Sequence, residues 1–280
     1  MIDSTSAQVI VDSLKNTKTA SNSDWILHHV MDGKYLDFSP FGTIPLPQFT
    51  LFGLDLSITK HVLFMWIGAA LLFFVMTRVA RAYKKSLVPK GSTNFWEVLI
   101  VFVRDEIAIP SIGKGYEKYL SYLLTAFFFI LFGNFLGLIP FSATFTSNIA
   151  VTATMAIFTF VFIQFGGMRS NGVFGYWKGL IPHGVPVFLL PIMVVVELLG
   201  LLAKPFALAV RLFANMTAGH IVIYALISLI FVMQSVAWAG LAIPMALFIY
   251  SLEILVAILQ AYIFTMLSAL FIGMAVHQDH

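Results

Sequence analysis

The chain has 280 residues, of which 60% are hydrophobic and 15% aromatic, while only 10% carry a charge. An ordinary soluble domain contains about 25% charged residues, so this composition excludes a soluble globular protein. It predicts instead an all-α polytopic membrane protein. The absence of cysteine excludes disulfides, thiolate catalysis and cysteine-based metal sites. The formal net charge of +3 says little about partners, because the positions of the charges matter more than their sum.

Residues 1–57 are more polar than the rest and contain six aspartates and three lysines. They include the Pro-rich stretch SPFGTIPLPQF, which is typical of turns. The sequence therefore predicts an extramembrane N-terminal segment over 1–57, with turns and a short hairpin, and a membrane domain over 58–280. No stretch in the segment has the basic start and apolar run of a signal peptide. Whether a precursor segment was removed stays open, as does the role of the segment.

Three apolar stretches have about the 20 residues that a hydrocarbon core of ~30 Å requires. They are 57–77, 119–140 and 147–167. Gly133 and Gly137 form a GxxxG pair in the second span, which predicts the close approach of another helix. Between the first two spans, NFWEVLIVFV is too short to cross comfortably and ends in the charged residues RDE. It is expected to be an interfacial helix.

The basic residues of the connections predict the orientation. Eight lysines and arginines lie between the first and second spans, at 78, 81, 84, 85, 90, 104, 114 and 118, and none lies between the second and third. Cytoplasmic connections are enriched in Lys and Arg. The first connection is therefore predicted to be cytoplasmic, which places the N-terminus outside and the C-terminus in the cytoplasm.

Two unusually long apolar runs follow, Val187–Met233 and Leu241–Val276. At 1.5 Å per helical residue they would extend about 70 Å and about 54 Å, which exceeds one upright span. Neither run contains a convincing polar turn. We expect two long, strongly tilted helices that form a hairpin and bring the number of crossings to five. The alternative is that one run breaks into two spans.

Polar residues recur along these runs at helical spacing. At about 100° per residue, Glu197, Lys204 and Arg211 fall within about 40° of one another, and Asn215 shares their face. The same face carries alanines at 203, 207, 214 and 218, which predicts that a partner helix approaches closely. His220 points to roughly the opposite face.

The second run carries Glu253 and Gln260, again seven residues apart and on one face. Several of these polar residues also have a purely structural interpretation. Lys204 could extend to the membrane surface and pair with Glu197, and His220 could form an ion pair with Glu253 that locks the hairpin. Asn134 and Gln260 are typical of interhelical hydrogen bonds.

Arg211 is the hardest of these residues to explain structurally. A charge at the bilayer centre costs about 3 to more than 10 kcal/mol, and such residues are functional by default. The only deep carboxylates that could offset Lys204 and Arg211 are those of Glu197 and Glu253. Both have other possible roles, so a further anion on a partner subunit is expected. The sequence has no HExxH, G-x-S-x-G or P-loop motif. The residues favour ion translocation, and no catalytic residue, metal, cofactor or nucleic-acid partner is expected.

The stretch KPFALAVRLFANMTAGH resembles the signature of subunit a of F-type ATP synthases. The likeness extends through SITKHVLFMWI, FGNFLGLIP, VELLG and SLEILVAILQAYIFTML, and so covers roughly 58–275. Many bacterial members carry Glu where His220 stands and His where Glu253 stands, whereas this arrangement resembles the mitochondrial type. Such an exchange supports contact between the two residues.

The resemblance implies a non-catalytic Fo subunit of a bacterial inner membrane that translocates protons. Its implied partners are the c-ring, peripheral stalk subunit b, the rest of the F1Fo complex and membrane lipid. Two half-channels would be separated by Arg211, with His220 and Glu253 on the entry side and Glu197 on the exit side. Asn215 and Gln260 would lie near the arginine, with Lys204 and Asn134 in support.

Two other functions stay open at this stage. One is a secondary transporter that binds an anionic substrate at Arg211, although no repeat relates the two halves of the chain. The other is a scaffold whose polar residues only fasten helices together, which leaves Arg211 unexplained. The choice between H⁺ and Na⁺ is also open, with H⁺ favoured.

Overall fold

A computed structural model describes residues 32–37, 42–48, 50–51, 54–55, 57–85, 91–139, 142–179, 187–233 and 235–277. The first 31 residues of the predicted N-terminal segment lie outside this range. Its described part contains two antiparallel hairpins, so the hairpin prediction is confirmed. In the first, β1 (Tyr35–Asp37) pairs with β2 (Thr43–Pro45). In the second, β3 (Thr50–Leu51) pairs with β4 (Leu54–Asp55).

Five of the described helices are long and apolar enough to cross a membrane, as predicted. They are α1 (Lys60–Lys85), α4 (Glu117–Gly137), α5 (Ile149–Asn171), α7 (Leu190–Val232) and α8 (Ala239–Val276). Shorter elements connect them: α2 (Ser92–Phe102), α3 (Ile109–Ile112), α6 (Val173–Gly179) and 3-10 turns at Phe145–Ser147, Val187–Leu189 and Val236–Trp238. The chain is an all-α polytopic membrane protein.

The N-terminal segment also provides partners for the first turn of α1. The backbone amide of Lys60 donates to the carbonyl of Gly33 (2.9 Å), and that of His61 donates to Oδ1 of Asp32 (3.4 Å). The first amides of a helix have no acceptor within the helix, and a carboxylate there also interacts favourably with the helix dipole. Asp32 is thus held directly against the outer end of α1 in the predicted orientation.

The predicted interfacial helix is longer than expected. Helix α2 does not end at the charged residues RDE but continues through a π-helical turn, Val103–Ala108, into α3. Arg104 and Asp105 pair with each other, at 2.7 Å between Nε and Oδ1. This pairing lets the helix run on through its charges, while Val103 and Ile107 are fully buried.

Helix α8 is the centre of the bundle and contacts α7, α4, α5 and α3. Its residues Phe264, Ala269 and Ile272 pack in one buried cluster with Leu123 and Phe127 of α4. Helix α1 contacts mainly α4 and lies at the periphery. The polar side chains of α8 are therefore surrounded by other helices along much of its length.

The two long runs are single helices of 43 and 38 residues. They extend about 64 Å and about 57 Å, and both exceed a hydrocarbon core of ~30 Å. The alternative in which one run breaks into two spans is wrong over the described residues. The two helices pack against each other, and a hydrogen bond between Asn215 and Gln260 and a close contact between His220 and Glu253 fix an antiparallel register.

The prediction for the GxxxG pair is wrong in one respect, because what approaches the two glycines is a loop and not a helix. A Cβ at Gly133 would overlap the ring of Phe145, and one at Gly137 would overlap the side chain of Thr144. The segment after α4 folds back over that helix, and it fits there because the two glycines have no side chain. The consequence is a polar loop, Ser142–Ser147, placed inside the half of the bundle that lies next to the N-terminal segment.

Candidate functional site

Two polar contacts join α7 and α8, of which the pair of His220 and Glu253 was predicted from the sequence. His220 Nδ1 lies 3.2 Å from Glu253 Oε1, so the predicted contact is present. Asn215 donates from Nδ2 to Oε1 of Gln260 at 3.0 Å. Glu253 and Gln260 are only 4% and 2% exposed. Burial of a carboxyl group is costly unless it is partnered, and neither oxygen of Glu253 has a well-aligned hydrogen bond to a described residue.

Arg211 lies about 180° around α7 from His220 and about 40° from Asn215. Its side chain is partly exposed, and within the described parts of the chain it forms neither an ion pair nor a hydrogen bond. The alanines at 203, 207, 214 and 218 that share this face are exposed. None of the described helices covers the strip, so its small side chains leave room for an external helix beside the Arg211 guanidinium.

Lys204 and Glu197 do not form the pair that the structural interpretation required. Lys204 Nζ lies 5.4 Å from the centroid of the Phe271 ring, a cation–π distance. Glu197 is partly exposed, and no ion pair joins it to a described lysine or arginine. Glu197 lies 14 residues before Arg211 on α7, which is about 21 Å along the helix axis.

Asn134 forms hydrogen bonds between three segments in the interior of the bundle. It is fully buried, donates from Nδ2 to the carbonyl of Ala257 (3.2 Å) and accepts from the hydroxyl of Thr146 (2.7 Å). It therefore links α4 to α8 and to the inward-folded loop, as the interhelical interpretation of Asn134 expected. Its amide also holds that loop against α8.

The sequence did not identify the residues that connect His220 to the outer surface. The Oγ1 of Thr144 lies 2.6 Å from His220 Nε2, and Ser147 donates its hydroxyl to the carbonyl of Thr144 (2.7 Å). His61 Nε2 lies 3.3 Å from the Ser147 hydroxyl. On its other side, His61 Nδ1 lies 2.7 Å from Asp32 Oδ1.

These groups form one polar chain that leads from the N-terminal segment to a buried carboxyl. A cavity of about 20 Å³ lies inside this chain, lined among others by His61, Thr144, Ser147, His220 and Tyr224. Polar walls and this volume suit about one water molecule. His61 is itself only 2% exposed, so the chain passes through the interior and does not follow the surface.

Asp32, at the outer end of the chain, lies outside the spans. Partial burial acts to raise the pKa of its carboxyl, but the hydrogen bond and charge of His61 outweigh that effect and lower the pKa below the usual value. Asp32 is therefore ionised at neutral pH. This carboxylate lies beside Nδ1 of His61, while Nε2 of the same ring faces Ser147.

The sequence contains one indication that His61 belongs to the site, although the prediction did not use it. It stands in SITKHVLFMWI at the start of the first span, within a stretch that carries the resemblance. Thr144 and Ser147 gave none, because hydroxyl residues in a short loop are common. Among the described residues, no three His, Asp or Glu side chains are grouped to hold a metal ion.

Comparison with known proteins identifies the family of the chain. The family described as ATP synthase A chain matches residues 62–273. ATP synthase subunit a of Chloroherpeton thalassium is 54% identical over 258 residues, which cover 91% of this chain and 77% of that protein. ATP synthase subunit a 2 of Chlorobaculum tepidum is 50% identical over 261 residues, or 91% and 74% of the two chains. ATP synthase subunit a of Chlorobium phaeobacteroides is 48% identical, with 92% and 76% covered.

The match spans every predicted crossing and all the polar residues of the hairpin, and three relatives exceed two thirds coverage of their own length. The chain belongs to the ATP synthase A chain family, whose members here are named ATP synthase subunit a.

Proposed function

We propose that this chain is the proton-translocating stator subunit of an F-type ATP synthase, with two half-channels that meet a rotor at Arg211. The observation that carries the proposal is Arg211 itself: a partly exposed cation, without a partner among the described residues, in the middle of a 43-residue apolar helix. An unpaired charge there is costly. A rotor subunit that presents a carboxyl group to the alanine strip would supply the missing anion.

The guanidinium is suited to separate two proton paths. An opposite charge within ~4–6 Å lowers a carboxyl pKa by about 1–3 units, so a rotor acid that reaches Arg211 releases its proton. Arginine is not deprotonated in proteins. It therefore cannot pass a proton directly from one half-channel to the other, and every proton has to travel with the rotor.

The polar chain from Asp32 to Glu253 is the proposed entry path. In the predicted orientation, the start of α1, the loop Ser142–Ser147 and the His220 portion of α7 all lie toward the outside. A proton taken up at His61 Nε2 would pass by way of Ser147, a bound water and Thr144 to His220. Hydroxyls both donate and accept hydrogen bonds. The contacts along this path are 3.3 Å from His61 to Ser147 and 2.6 Å from Thr144 to His220. The water would bridge the two hydroxyls, because the Thr144 carbonyl that accepts from Ser147 cannot pass a proton on.

Glu253 is the proposed last carrier before the rotor. It contacts His220 and is buried, and its oxygens lack other well-aligned donors among the described residues. A carboxyl group in this setting can hold a proton and give it up again. The bond between Asn215 and Gln260 lies between this pair and the level of Arg211. Because amides do not titrate, it would end the chain of carriers.

The exit path is proposed to run along the other part of α7 toward the cytoplasm. Glu197 shares the Arg211 face and lies about 21 Å away along the axis. It is partly exposed and has no ion pair among the residues described. A carboxylate there can accept a proton released at Arg211 and pass it to water.

The alanine strip identifies the surface that would face the c-ring, because small side chains let another helix approach closely. Subunit b, the remaining F1Fo subunits and membrane lipid complete the proposed surroundings, in a bacterial inner membrane with the N-terminus outside. Residues 1–57 would form an outer extramembrane segment and 58–280 the membrane domain. A transporter that binds a soluble anion would enclose Arg211 in a cavity, whereas its face is open to the outside of the bundle.

The proposal is tested by replacing Arg211 in the assembled complex. We expect Arg211→Ala to abolish ATP-driven acidification of inverted vesicles, since no fixed cation remains, and to permit a passive proton leak. Arg211→Lys should fail almost as completely, because an ammonium can lose its proton when buried and lacks the planar guanidinium. Arg81→Ala, at an exposed arginine of α1, is the control. Full pumping by the Lys variant would show that charge alone suffices.

A further inference from the structure

A second feature of the molecule lies on the lateral surface of the bundle, between α4 and α5 and away from the α7–α8 hairpin. A cavity of about 340 Å³ is lined by Lys118, Tyr119, Phe162, Phe165, Gly166 and Arg169. Lys118 lies in the first turn of α4 and Arg169 in the last turn of α5. Two cations from different helices therefore border one cavity, at the end of the bundle that is predicted to be cytoplasmic.

The charges of this cavity are not used within the described chain. Neither Lys118 nor Arg169 forms an ion pair with a carboxylate among the residues described. Glu117 is next to Lys118 in sequence and is also exposed, so the local balance is one net positive charge. The rings of Phe162 and Phe165 form apolar walls of the cavity. The cavity thus offers cations beside apolar surface, which suits a ligand with an anionic head and a hydrocarbon body.

A larger groove continues from this cavity into the membrane. Its volume is about 570 Å³, and Phe162 lines both spaces. The walls are almost wholly apolar and include Met65, Phe129, Met155 and Phe158. The ring of Tyr122 stacks on Phe162, with centroids 4.2 Å apart, while its hydroxyl is bonded to Thr159 at 2.5 Å. The phenol is thereby turned into the bundle, which leaves the groove apolar.

The near part of the groove can hold one acyl chain. The groove begins at Phe162, seven residues or about 10 Å along α5 from Arg169, and continues for twelve more residues to Ala150. Half of a hydrocarbon core of ~30 Å is about 15 Å. A chain whose head lies at the basic cavity would therefore occupy the part of the groove beside Phe162 and Phe158. A hydrocarbon tail there leaves no polar group unsatisfied.

We propose that Lys118 and Arg169 bind the headgroup of an anionic phospholipid, with one acyl chain lying in the groove between α4 and α5. In the predicted orientation the lipid belongs to the cytoplasmic leaflet, where basic pockets between helices bind acidic headgroups. The planar guanidinium of Arg169 suits a phosphate bidentately. This site does not depend on the rotary function, because its residues take no part in the proposed proton path.

The test uses the assembled complex in nanodiscs of phosphatidylcholine that contain a small fraction of phosphatidylglycerol with a photoreactive acyl chain. Cross-linked peptides are mapped by mass spectrometry. We expect cross-links on the groove residues of α4 and α5. In the double variant Lys118→Gln with Arg169→Gln, the yield should fall by about fivefold to thirtyfold, since each basic residue near the surface contributes about fivefold. The control pair Lys84→Gln with Lys178→Gln removes the same charge from exposed positions elsewhere and should leave the yield unchanged.

A third variant examines the groove without changing a charge. Thr125 is exposed, lines the groove and lies about 10 Å along α4 from Lys118, so Thr125→Trp should fill the near part of the groove and lower the yield while ATP-driven pumping persists. The proposal fails if a photoreactive phosphatidylcholine probe labels the groove equally well, or if the control pair lowers the yield as much as the test pair. It also fails if the groove residues cross-link to another subunit of the complex, which would mean that a protein helix occupies the groove.

Discussion

Gly219 offers a sharp test of whether the contact between His220 and Glu253 carries protons. A Cβ at this position would lie 2.7 Å from Glu253 Oε1 and 3.1 Å from its Cδ. An ordinary carbon–oxygen contact is about 3.4 Å, so Gly219→Ala requires the carboxylate to move about 0.7 Å. Movement directly away from His220 would lengthen the 3.2 Å contact to about 3.9 Å, beyond hydrogen-bonding range.

The energetic effects of this change on stability and on function have opposite signs. In a helix interior, alanine is more favourable than glycine by about 1 kcal/mol, so the fold should not be weakened. A buried polar group that loses its partner costs about 1–3 kcal/mol, and the 3.2 Å contact with His220 is the partner at stake for Glu253. Because Glu253 can recover part of this by changing its side-chain torsions, we expect the initial rate of ATP-driven acidification to fall about tenfold.

The measurement is the quenching of a pH-sensitive dye in inverted vesicles that contain equal amounts of assembled complex. Gly200→Ala is the matched control, since Gly200 lies on the same helix and a Cβ there would meet nothing within 4 Å. Equal pumping by the two variants would refute the reasoning, because the geometry of the Glu253 carboxyl would then be irrelevant to flux. A loss of assembled complex confined to Gly219→Ala would contradict the stability argument.

Three further predictions concern the entry path and the topology. His61→Ala should slow ATP synthesis at an outside pH near neutral, with partial recovery on addition of imidazole; a rate equal to the parent would remove His61 from the path. His220→Glu should impair pumping because it places two carboxyls together, and the double change with Glu253→His should restore part of it; a double variant no better than the single one would mean that the residues act separately. Cysteines at Thr43 and His277, in a chain that has none of its own, should label from opposite faces of sealed vesicles, and labelling from the same face would rule out five crossings.

The spans and the polar faces of the long helices could be predicted from the sequence because both depend on local properties. Hydropathy over about 20 residues determines whether a helix crosses, and a period of 3.6 residues determines which side chains share a face. The opposite placement of Arg211 and His220 on α7 follows directly from their nine-residue separation. The contact of His220 with Glu253 required one more inference, from the exchanged pattern in relatives.

The inward-folded loop could not be predicted, since its placement depends on contacts distant in sequence. Gly133 and Gly137 signalled a close approach, but the pattern does not distinguish a helix from a loop with Phe145 and Thr144. For the same reason the role of His61 was not visible. Its proximity to Ser147 joins residues 86 positions apart, and no local period relates them.

The arrangement of α7 explains why a single helix can serve two proton paths. His220, on the face called inner here, contacts Glu253 of α8, whereas Arg211, on the opposite or outer face, forms no ion pair or hydrogen bond with a described residue. On the proposed mechanism, carriers fixed in the bundle deliver protons to one side of the helix, and the rotor removes them along the other. The helix itself, with its backbone hydrogen bonds already satisfied, is the barrier between the two. A proton can then pass from the inner to the outer face only where a rotor carboxyl reaches both, which couples the flow of protons to rotation.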